Sequence, residues 1–581
     1  MTQATTHNTN TPRRTHPAVV RAALRSCRAS VSSYPRRRVS SLNKHWIPAC
    51  AGMTRYNALG QKSSQTYPDG ATYTYSYDAN NQLSIVDLPQ GSGSITLNNY
   101  LWSVPSQITL PGGTVRTLQY DGLLRLKTLA VKDPGQSQVM NYQYGYDLTG
   151  NIVSKATEQG TTNYSYDTLD HLTGATYTNQ TGTPQANESY TYDPLANRVT
   201  GSNANVQGTS HSYNANNQLT QAGSIRYTYD ENGNTLSQTD ATNAANTRSY
   251  VYDTDNRLTE VHDASNAIVA TYRYDPFGRR VSKTLNNGSQ SNTTYYFYSA
   301  EGLIAEADSN GQLTKSYGYA PGSTFTTNPL WMKVPASGTQ TAATYYTYQN
   351  DHLGTPMKLL NQSGVTVWSA TYDAFGRATV DPSSTVTNNF RYPGQYYDAE
   401  SGLHYNWMRY YDPNTGRYST SDPIGLMGGM NIYTYVSGNS MRWIDSRGLR
   451  VGTTTGAVQA SVMVIAVGVS MSAGGVVGTD HKKCESYQIC FRFGGGMYAG
   501  VGLVGGLGTN AGGTADSGGF SVGVGGDAAL GAGVGGQASI GVPSPTSGGV
   551  SKGSLGLGIG LSAGIDFCYT YVSKCRDCQE Y

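Results

Sequence analysis

Two aspartates in the last third of this chain stand in matching five-residue frames. They are Asp422-Pro423-Ile424-Gly425-Leu426 and, 23 residues later, Asp445-Ser446-Arg447-Gly448-Leu449. Two carboxylates brought into one site cannot both stay ionised, so one holds a proton and can act as an acid. The other is then available as a base toward water or a peptide carbonyl. That is the logic of an aspartic-protease dyad. The same letters also have a plainer meaning, because Asp-Pro-x-Gly is ordinary turn chemistry. Its Asp accepts local backbone hydrogen bonds and its Gly takes a positive φ. Spacing alone favours the turn. Arg409, Arg417 and Arg442 lie close enough in sequence to serve as electrostatic helpers, and nothing in the pattern separates them.

Few other residues suggest chemistry. Residues 450–581 hold five of the seven cysteines, Cys484, Cys490, Cys568, Cys575 and Cys578, and a single histidine, His481. Cys575-x-x-Cys578 with Cys484, Cys490 or His481 is a possible zinc set. Disulfides formed after export are the alternative, and they leave one odd thiol. No Ser/His/Asp or Cys/His/Asn constellation is present there. Gly500-x-Gly502-x-x-Gly505 fits a dinucleotide fingerprint by letter only, in a glycine-rich stretch with no strand–helix frame around it.

The elements that must carry these residues are set by a repeat. Tyr-Asp pairs recur at Tyr77, Tyr120, Tyr146, Tyr166, Tyr192, Tyr229, Tyr252 and Tyr274, with weaker copies between them. A fixed period of about twenty residues means one unit built many times. Before each Asp, aromatic and small polar residues alternate, as in Tyr142, Tyr144 and Tyr146, which is a strand signature. After it comes a turn cluster such as Glu231-Asn232-Gly233-Asn234, then a second short run. Each repeat therefore reads as strand, turn, strand, and the chain as all-β. Of its 46 tyrosines, 40 lie between Tyr56 and Arg450. Tyrosine covers apolar surface while its hydroxyl stays hydrogen-bonded or wet, which suits a thin wall. Pattern alone leaves a curved enclosure and an adhesive β-solenoid open.

Residues 56–449 resemble the YD-repeat proteins of the rearrangement-hotspot (Rhs) family, which are similar to insecticidal Tc-toxin C subunits and teneurin shells. The resemblance rests on Tyr67-Pro-Asp-Gly70, Asp351-His-Leu-Gly-Thr-Pro356, Tyr372-Asp-Ala-Phe-Gly-Arg377 and the run from Phe390 to Leu449. It implies a spiral β-shell, here partial, whose final segment plugs one end. It also implies that Asp422 and Asp445 cut the chain between Leu449 and Arg450. Two positions depart from the family pattern: Ser446 replaces a proline, and Asn439-Ser440 stands where Asn-Pro is usual. The repeat count is short of a full shell, which implies the C-terminal portion of a larger or split gene.

The first 55 residues carry ten Lys/Arg and no Asp or Glu, so the remainder of this +3 chain is acidic. A basic arm could meet nucleic acid or a membrane surface. Ala18 to Leu24 is too short for a signal peptide and is broken by Arg21. The run Ser41 to Thr54 resembles a translated intergenic repeat, which favours a mis-set reading frame over a functional arm.

Beyond Leu449 the composition changes, with 33 of the 69 glycines in residues 450–581. Three uncharged stretches occur, at 451–479, 493–515 and 528–551, and the first is long enough to cross a bilayer as a helix. Leu555, Leu557, Ile559 and Leu561 alternate with glycine, which argues for strands. The expected organisation is a leader (1–55), a YD-repeat shell (56–390), a core end with a self-cleavage motif (391–449) and a glycine-rich, β-rich cargo domain (450–581). By resemblance this is a secreted or cell-surface polymorphic toxin whose tail is released by self-cleavage. The tail's low charge and high glycine content favour membrane-active cargo, with a soluble glycine-rich β domain as the alternative. Its expected partners are a delivery apparatus, a cognate immunity protein, a target-cell membrane and, less directly, carbohydrate. No cofactor and no nucleic acid are expected. A surface adhesin and a decayed gene fragment are the rival readings.

Overall fold

The structure is a computed structural model. It describes residues 53–449 apart from 182–183, 204–205, 289 and 337–341. Beyond Leu449 it describes only the backbone of strands lying between 452 and 577. Residues 1–52 of the leader, with Cys27 and Cys50, and residues Arg450, His481 and Cys578 lie outside the described residues. The chain forms two compact units, Met1–Gln459 and Ala460–Tyr581. No described helix is long and apolar enough to cross a membrane.

Thirty strands between Thr54 and Val380 form one sheet in which successive strands pair antiparallel. The Tyr-Asp pair explains why one unit repeats so faithfully. Asp121 Oδ1 accepts from the amides of Leu123 and Arg125, both at 2.9 Å. Asp193 does the same with Leu195 and Asn197. The residue third after the Asp then takes a positive φ, as at Asn256 (59°) and Gly278 (76°). The Tyr next to the Asp reaches back to the preceding strand. Its hydroxyl donates to the Lys62 carbonyl from Tyr77 (2.9 Å), to Ile152 from Tyr166 (2.8 Å) and to Leu172 from Tyr192 (2.7 Å). One residue closes a hairpin, and its neighbour ties that hairpin to the one before it.

At these same tyrosines the ladder to the next strand shifts register, at Ser76/Tyr77, Gln119/Tyr120, Ser165/Tyr166 and Arg273/Tyr274. A register shift bends a strand and tightens its twist. Repeated at the Tyr-Asp pair in hairpin after hairpin, it curls the sheet onto itself. Tyr67 donates to the Tyr317 carbonyl at 2.7 Å, Tyr73 stacks on Trp331 at 4.3 Å, and Arg116 reaches the Asn350 carbonyl at 2.9 Å. The interior is more apolar than a tyrosine-faced wall suggests. Val86, Ile95, Leu129, Val131 and Met140 are fully buried beside the tyrosines, because they occupy inward positions of the strands between them.

Residues 390–449 pack inside this curl. Phe390, Tyr396, Leu403, Tyr405 and Tyr410 share a core with Tyr272, Tyr296 and Trp368 of the shell. Four short strands, Tyr396–Asp398, Leu403–Asn406, Arg409–Asp412 and Arg417–Tyr418, form a small sheet there. Asp398, completely buried, accepts from Arg280 (Nη2, 3.0 Å) and Lys283 (2.9 Å) of one shell hairpin.

In the second unit, Gly468–Val477, Lys482–Ala499, Ile559–Asp577, Gly519–Ala529 and Ile540–Gly541 form a five-stranded sheet in that order. A three-stranded sheet joins Gly505–Asn510, Val550–Leu557 and Ala532–Gln537. The end of the 451–479 stretch is therefore strand, where a spanning helix was one expectation. The alternating Leu555–Leu561 and Phe520–Val524 segments lie in strands, as their period two requires.

Candidate functional site

The two Asp-x-x-Gly-Leu frames meet at the end of the small core sheet. Asp422 follows the Arg417–Tyr418 strand and Asp445 follows the Trp443–Ile444 strand. Both do cap turns. Asp422 Oδ1 accepts from Ile424 N at 3.0 Å, and Asp445 Oδ1 accepts from Arg447 N and Leu449 N at 3.3 and 3.1 Å. The other oxygen of each carboxylate is turned to a shared partner. Arg409 Nη2 lies 2.8 Å from Asp422 Oδ2 and 3.3 Å from Asp445 Oδ2. All three side chains are nearly inaccessible, at 2–3% exposure.

Arg409 is held from every side. Its Nε donates to the Gly448 carbonyl at 2.6 Å and its Nη1 to Ile432 at 3.0 Å. The Tyr418 ring lies 3.6 Å beneath the guanidinium, and the Tyr418 hydroxyl donates to Asp445 Oδ2 at 2.7 Å. Asn406 Nδ2 bridges the Tyr418 hydroxyl and the Asp445 carbonyl at 2.9 and 2.7 Å. Two glycines are needed for this closeness. A Cβ on Gly448 (φ +67°) would strike the Asn406 carbonyl. A Cβ on Gly428 would overlap Asp422 Oδ2 and stand 2.9 Å from the Leu449 carbonyl oxygen. The Leu449 carbonyl oxygen and Asp422 Oδ2, the oxygen that pairs with Arg409, thus both border the space that a side chain at Gly428 would fill.

Burial pushes the Asp422 carboxyl above its ordinary value, and nearby Asp445 adds to the rise. Arg409 and the Ile424 amide oppose the shift without cancelling it. A raised acid beside a peptide carbonyl, next to a second carboxylate saturated with donors, can protonate one group while the other accepts a proton.

Of the three candidate arginines, geometry brings only Arg409 to the pair. Arg417 donates to Asn197 Oδ1 at 2.7 Å and to the Asn217 carbonyl, joining core to shell. Arg442 donates to Asn151 Oδ1 and stacks on Trp443. No sequence signal singles out Arg409; it heads the Arg409–Asp412 strand, and it is that first residue which lies beside the aspartates. The departures from the family pattern sit quietly. The Ser440 hydroxyl donates to the Ala374 carbonyl, Asn439 donates to Asn151 Oδ1 and the Asp170 carbonyl, and Ser446 is half-buried. Arg450, the far side of the expected cut, lies outside the described residues, but Gly452–Thr453 returns to pair with Trp443–Ile444. Among the described residues no cluster could hold a metal ion. In the second unit the strand register sets Cys484 and Cys490 six positions apart, and Cys578 lies outside the described residues.

Comparison with known proteins agrees with this architecture. The teneurin YD-shell family matches residues 111–434, and the RHS repeat matches residues 56–92. The double-stranded DNA deaminase toxin A of Burkholderia cenocepacia is 28% identical over 339 residues, covering 55% of this chain and 23% of that protein. The toxin protein Tse5 of Pseudomonas aeruginosa is 29% identical over 378 residues, covering 59% of this chain and 28% of its own length. The chain thus spans less than a third of these relatives. The crystal structure of TcdB2-TccC3 without its hypervariable C-terminal region superposes with a TM-score of 0.56 at 19% identity. That match covers 68% of this chain and 21% of the solved one. With a tyrosine-tied hairpin shell, a core segment packed inside it and a family match over more than half of its length, the chain belongs to the Rhs family of YD-repeat proteins and carries the teneurin-type YD shell.

Proposed function

We propose that this chain is a shell-bearing portion of an Rhs-type polymorphic toxin that cuts itself between Leu449 and Arg450. The observation that carries this reading is Arg409 held between Asp422 and Asp445, with the Leu449 carbonyl oxygen beside Asp422. In this mechanism Asp445 accepts a proton from a water molecule, whose oxygen adds to the Leu449 carbonyl carbon. Asp422, whose burial favours its protonated form, gives its proton to the carbonyl oxygen. Asp445 then passes the water-derived proton to the departing nitrogen, and Asp422 recovers its proton as the carbonyl re-forms. The carbon–nitrogen bond to Arg450 breaks, leaving a carboxylic acid on Leu449 and an amine on Arg450. Arg409 orients both carboxylates and offsets their charge.

The test is the intact mass of the purified chain and a denaturing gel. The wild type should yield a 132-residue C-terminal fragment. Asp422→Asn, Asp445→Asn and Gly428→Ala should each leave one piece while folding normally. A wild-type chain that stays whole under folding conditions ends the proposal.

Cleavage places residues 450–581 as the cargo, and a delivery apparatus and a cognate immunity protein follow as partners, with the protein exported or displayed at the cell surface. For the cargo we favour a membrane-active role. The support is the paired strand ends Phe493–Ala499 and Ile559–Ile565, which are uncharged and rich in glycine and aliphatic residues. Two relatives are named for action on nucleic acid, the deaminase toxin and the tRNA nuclease WapA of Bacillus subtilis, 32% identical over 274 residues. They leave the expectation of no nucleic-acid partner without support. Expressing the full chain in cells with a dye-leakage readout and DNA and RNA integrity measured in parallel separates the two targets. Growth arrest with nucleic-acid damage and no leakage removes the membrane reading.

A further inference from the structure

Two cysteines on one long strand of the second unit have cysteines as their register partners. Lys482–Ala499 runs antiparallel to Ile559–Asp577, with Cys484 opposite Cys575 and Cys490 opposite Cys568. The spacings do not match: the first pair of cysteines is six residues apart and the second seven. A regular ladder would therefore align one couple and miss the other. A single register shift supplies the difference. Glu485 is opposite Lys574 and Ser486 is opposite Val572, so Ser573 is passed over. An extra residue on one strand is what a β-bulge inserts. Here it falls between the two cysteine couples, where it brings both into register.

Residues directly opposite in an antiparallel ladder have Cα atoms about 4.5 or 5.5 Å apart. A disulfide requires a Cα separation of roughly 4.4–6.8 Å, so either kind of pair meets it. Sharing one zinc ion among all four is a poorer fit. Six positions along a strand span about 20 Å, far beyond the reach of two ligands to one metal.

We propose that the glycine-rich unit carries two cross-strand disulfides, Cys484–Cys575 and Cys490–Cys568. Each bond forms when two thiols give up two protons and two electrons to a thiol–disulfide oxidant, either a disulfide-bearing oxidoreductase or oxidised glutathione. A thiolate of the pair displaces sulfur from a mixed disulfide with that oxidant, and the oxidant leaves as its reduced thiol. Both bonds lie toward one end of the strand pair and leave the uncharged Phe493–Ala499 end unstapled. In a reducing cytosol both would reopen.

The test uses the full chain prepared under oxidising conditions, alkylated, digested without reductant and mapped by mass spectrometry. The expected result is two linked peptide pairs, 484 with 575 and 490 with 568, each collapsing on reduction. Crossed pairing, four alkylated thiols, or bound zinc with reduced thiols by metal analysis would each overturn the proposal. The double variants Cys484→Ser/Cys575→Ser and Cys490→Ser/Cys568→Ser should each retain the other link. Loss of both links from either one means the pairing is not what the register indicates. If the variants fail to fold, stepwise reduction of the native chain must release the couples as two separate events.

Discussion

Asp121 in a shell turn and Asp422 in the core make the same local bonds and end in opposite electrostatic states. Asp121 accepts amides two and four residues ahead, and Asp422 accepts the one two ahead. Burial pushes Asp121 up, but the Arg125 amide and guanidinium and the Leu123 amide outweigh it and hold the carboxyl below its ordinary range. For Asp422 burial wins and the carboxyl rises. The difference lies in the second oxygen. In this shell turn it belongs to an arginine four residues on, as it does in Asp253–Arg257 and Asp275–Arg279, while Asp147, Asp193 and Asp230 have an asparagine there. In the core, two aspartates must divide one arginine inside a buried pocket.

Replacing the carboxylate by its amide separates the two uses and carries the largest expected effect. Asparagine can cap the same turn, as Asn57 and Asn214 already do in the weaker repeats. Asp121→Asn should therefore leave cleavage complete and alter stability by no more than about 1 kcal/mol. Asp422→Asn or Asp445→Asn should slow cleavage by about 10²- to 10⁴-fold, the usual worth of a positioned acid or base. The measurement is the fraction cut against time after refolding from urea. Equal cleavage in all three variants would erase the distinction.

A second contrast concerns ion pairs. Arg280 and Asp398 join shell to core at 1% and 0% exposure, whereas Arg125 and Asp121 are about a quarter exposed. Arg280→Met leaves the buried Asp398 carboxylate with Lys283 as its remaining cation. The loss should therefore be part of the roughly 3–5 kcal/mol of a fully uncompensated buried charge. Arg125→Met should change stability by about 0–1 kcal/mol. Urea unfolding followed by tyrosine fluorescence measures both. Comparable losses would mean that the core is not anchored through Arg280.

The pH dependence is a smaller effect with a definite sign. A carboxyl raised above its free value holds its proton to higher pH, so the competent acid form of Asp422 is lost as pH rises through the raised value. Refolding-coupled cleavage should fall by about tenfold per pH unit beyond that point. A rate that instead climbs with pH would exchange the roles assigned to the two aspartates.

How far these features could be read from sequence depends on whether they are local. The hairpin and its turn follow from alternation and Asp-x-x-Gly letters, because their partners lie within four residues. The reach of most repeat tyrosines to a carbonyl 10 to 20 residues back, as from Tyr229, Tyr166 and Tyr192, has a period but no visible partner. The two aspartates were legible as a repeated frame, and their meeting was legible only through family resemblance. Arg409 could not be told from Arg417 and Arg442, since that choice depends on how the core sheet sits in the shell. Arg280 was hidden in Gly278-Arg279-Arg280, where the first arginine pairs with Asp275 in its own turn and the second reaches Asp398. Arg279 closes the turn and Arg280 opens the next strand, so two identical letters acquire unrelated partners. The register shift at Ser573 likewise has no signature in the alternation of its strand.

The smallest expected effect probes whether the tyrosine ties act singly. Tyr166→Phe removes one hydroxyl donor from the Ile152 carbonyl and leaves the ring packed in place. A hydrogen bond of this kind contributes about 1 kcal/mol, so the urea midpoint should drop only slightly and cleavage should stay complete. Tyr274→Phe, which frees the Leu258 carbonyl and a contact with the Tyr410 hydroxyl, lies at the core boundary and should cost somewhat more. The two sites share no hydrogen-bond partner, so the double variant should lose the sum of the single losses if each tie serves only its own pair of hairpins. A double loss well above that sum would show that the curl is held cooperatively, and that the shell's stability belongs to the whole sheet.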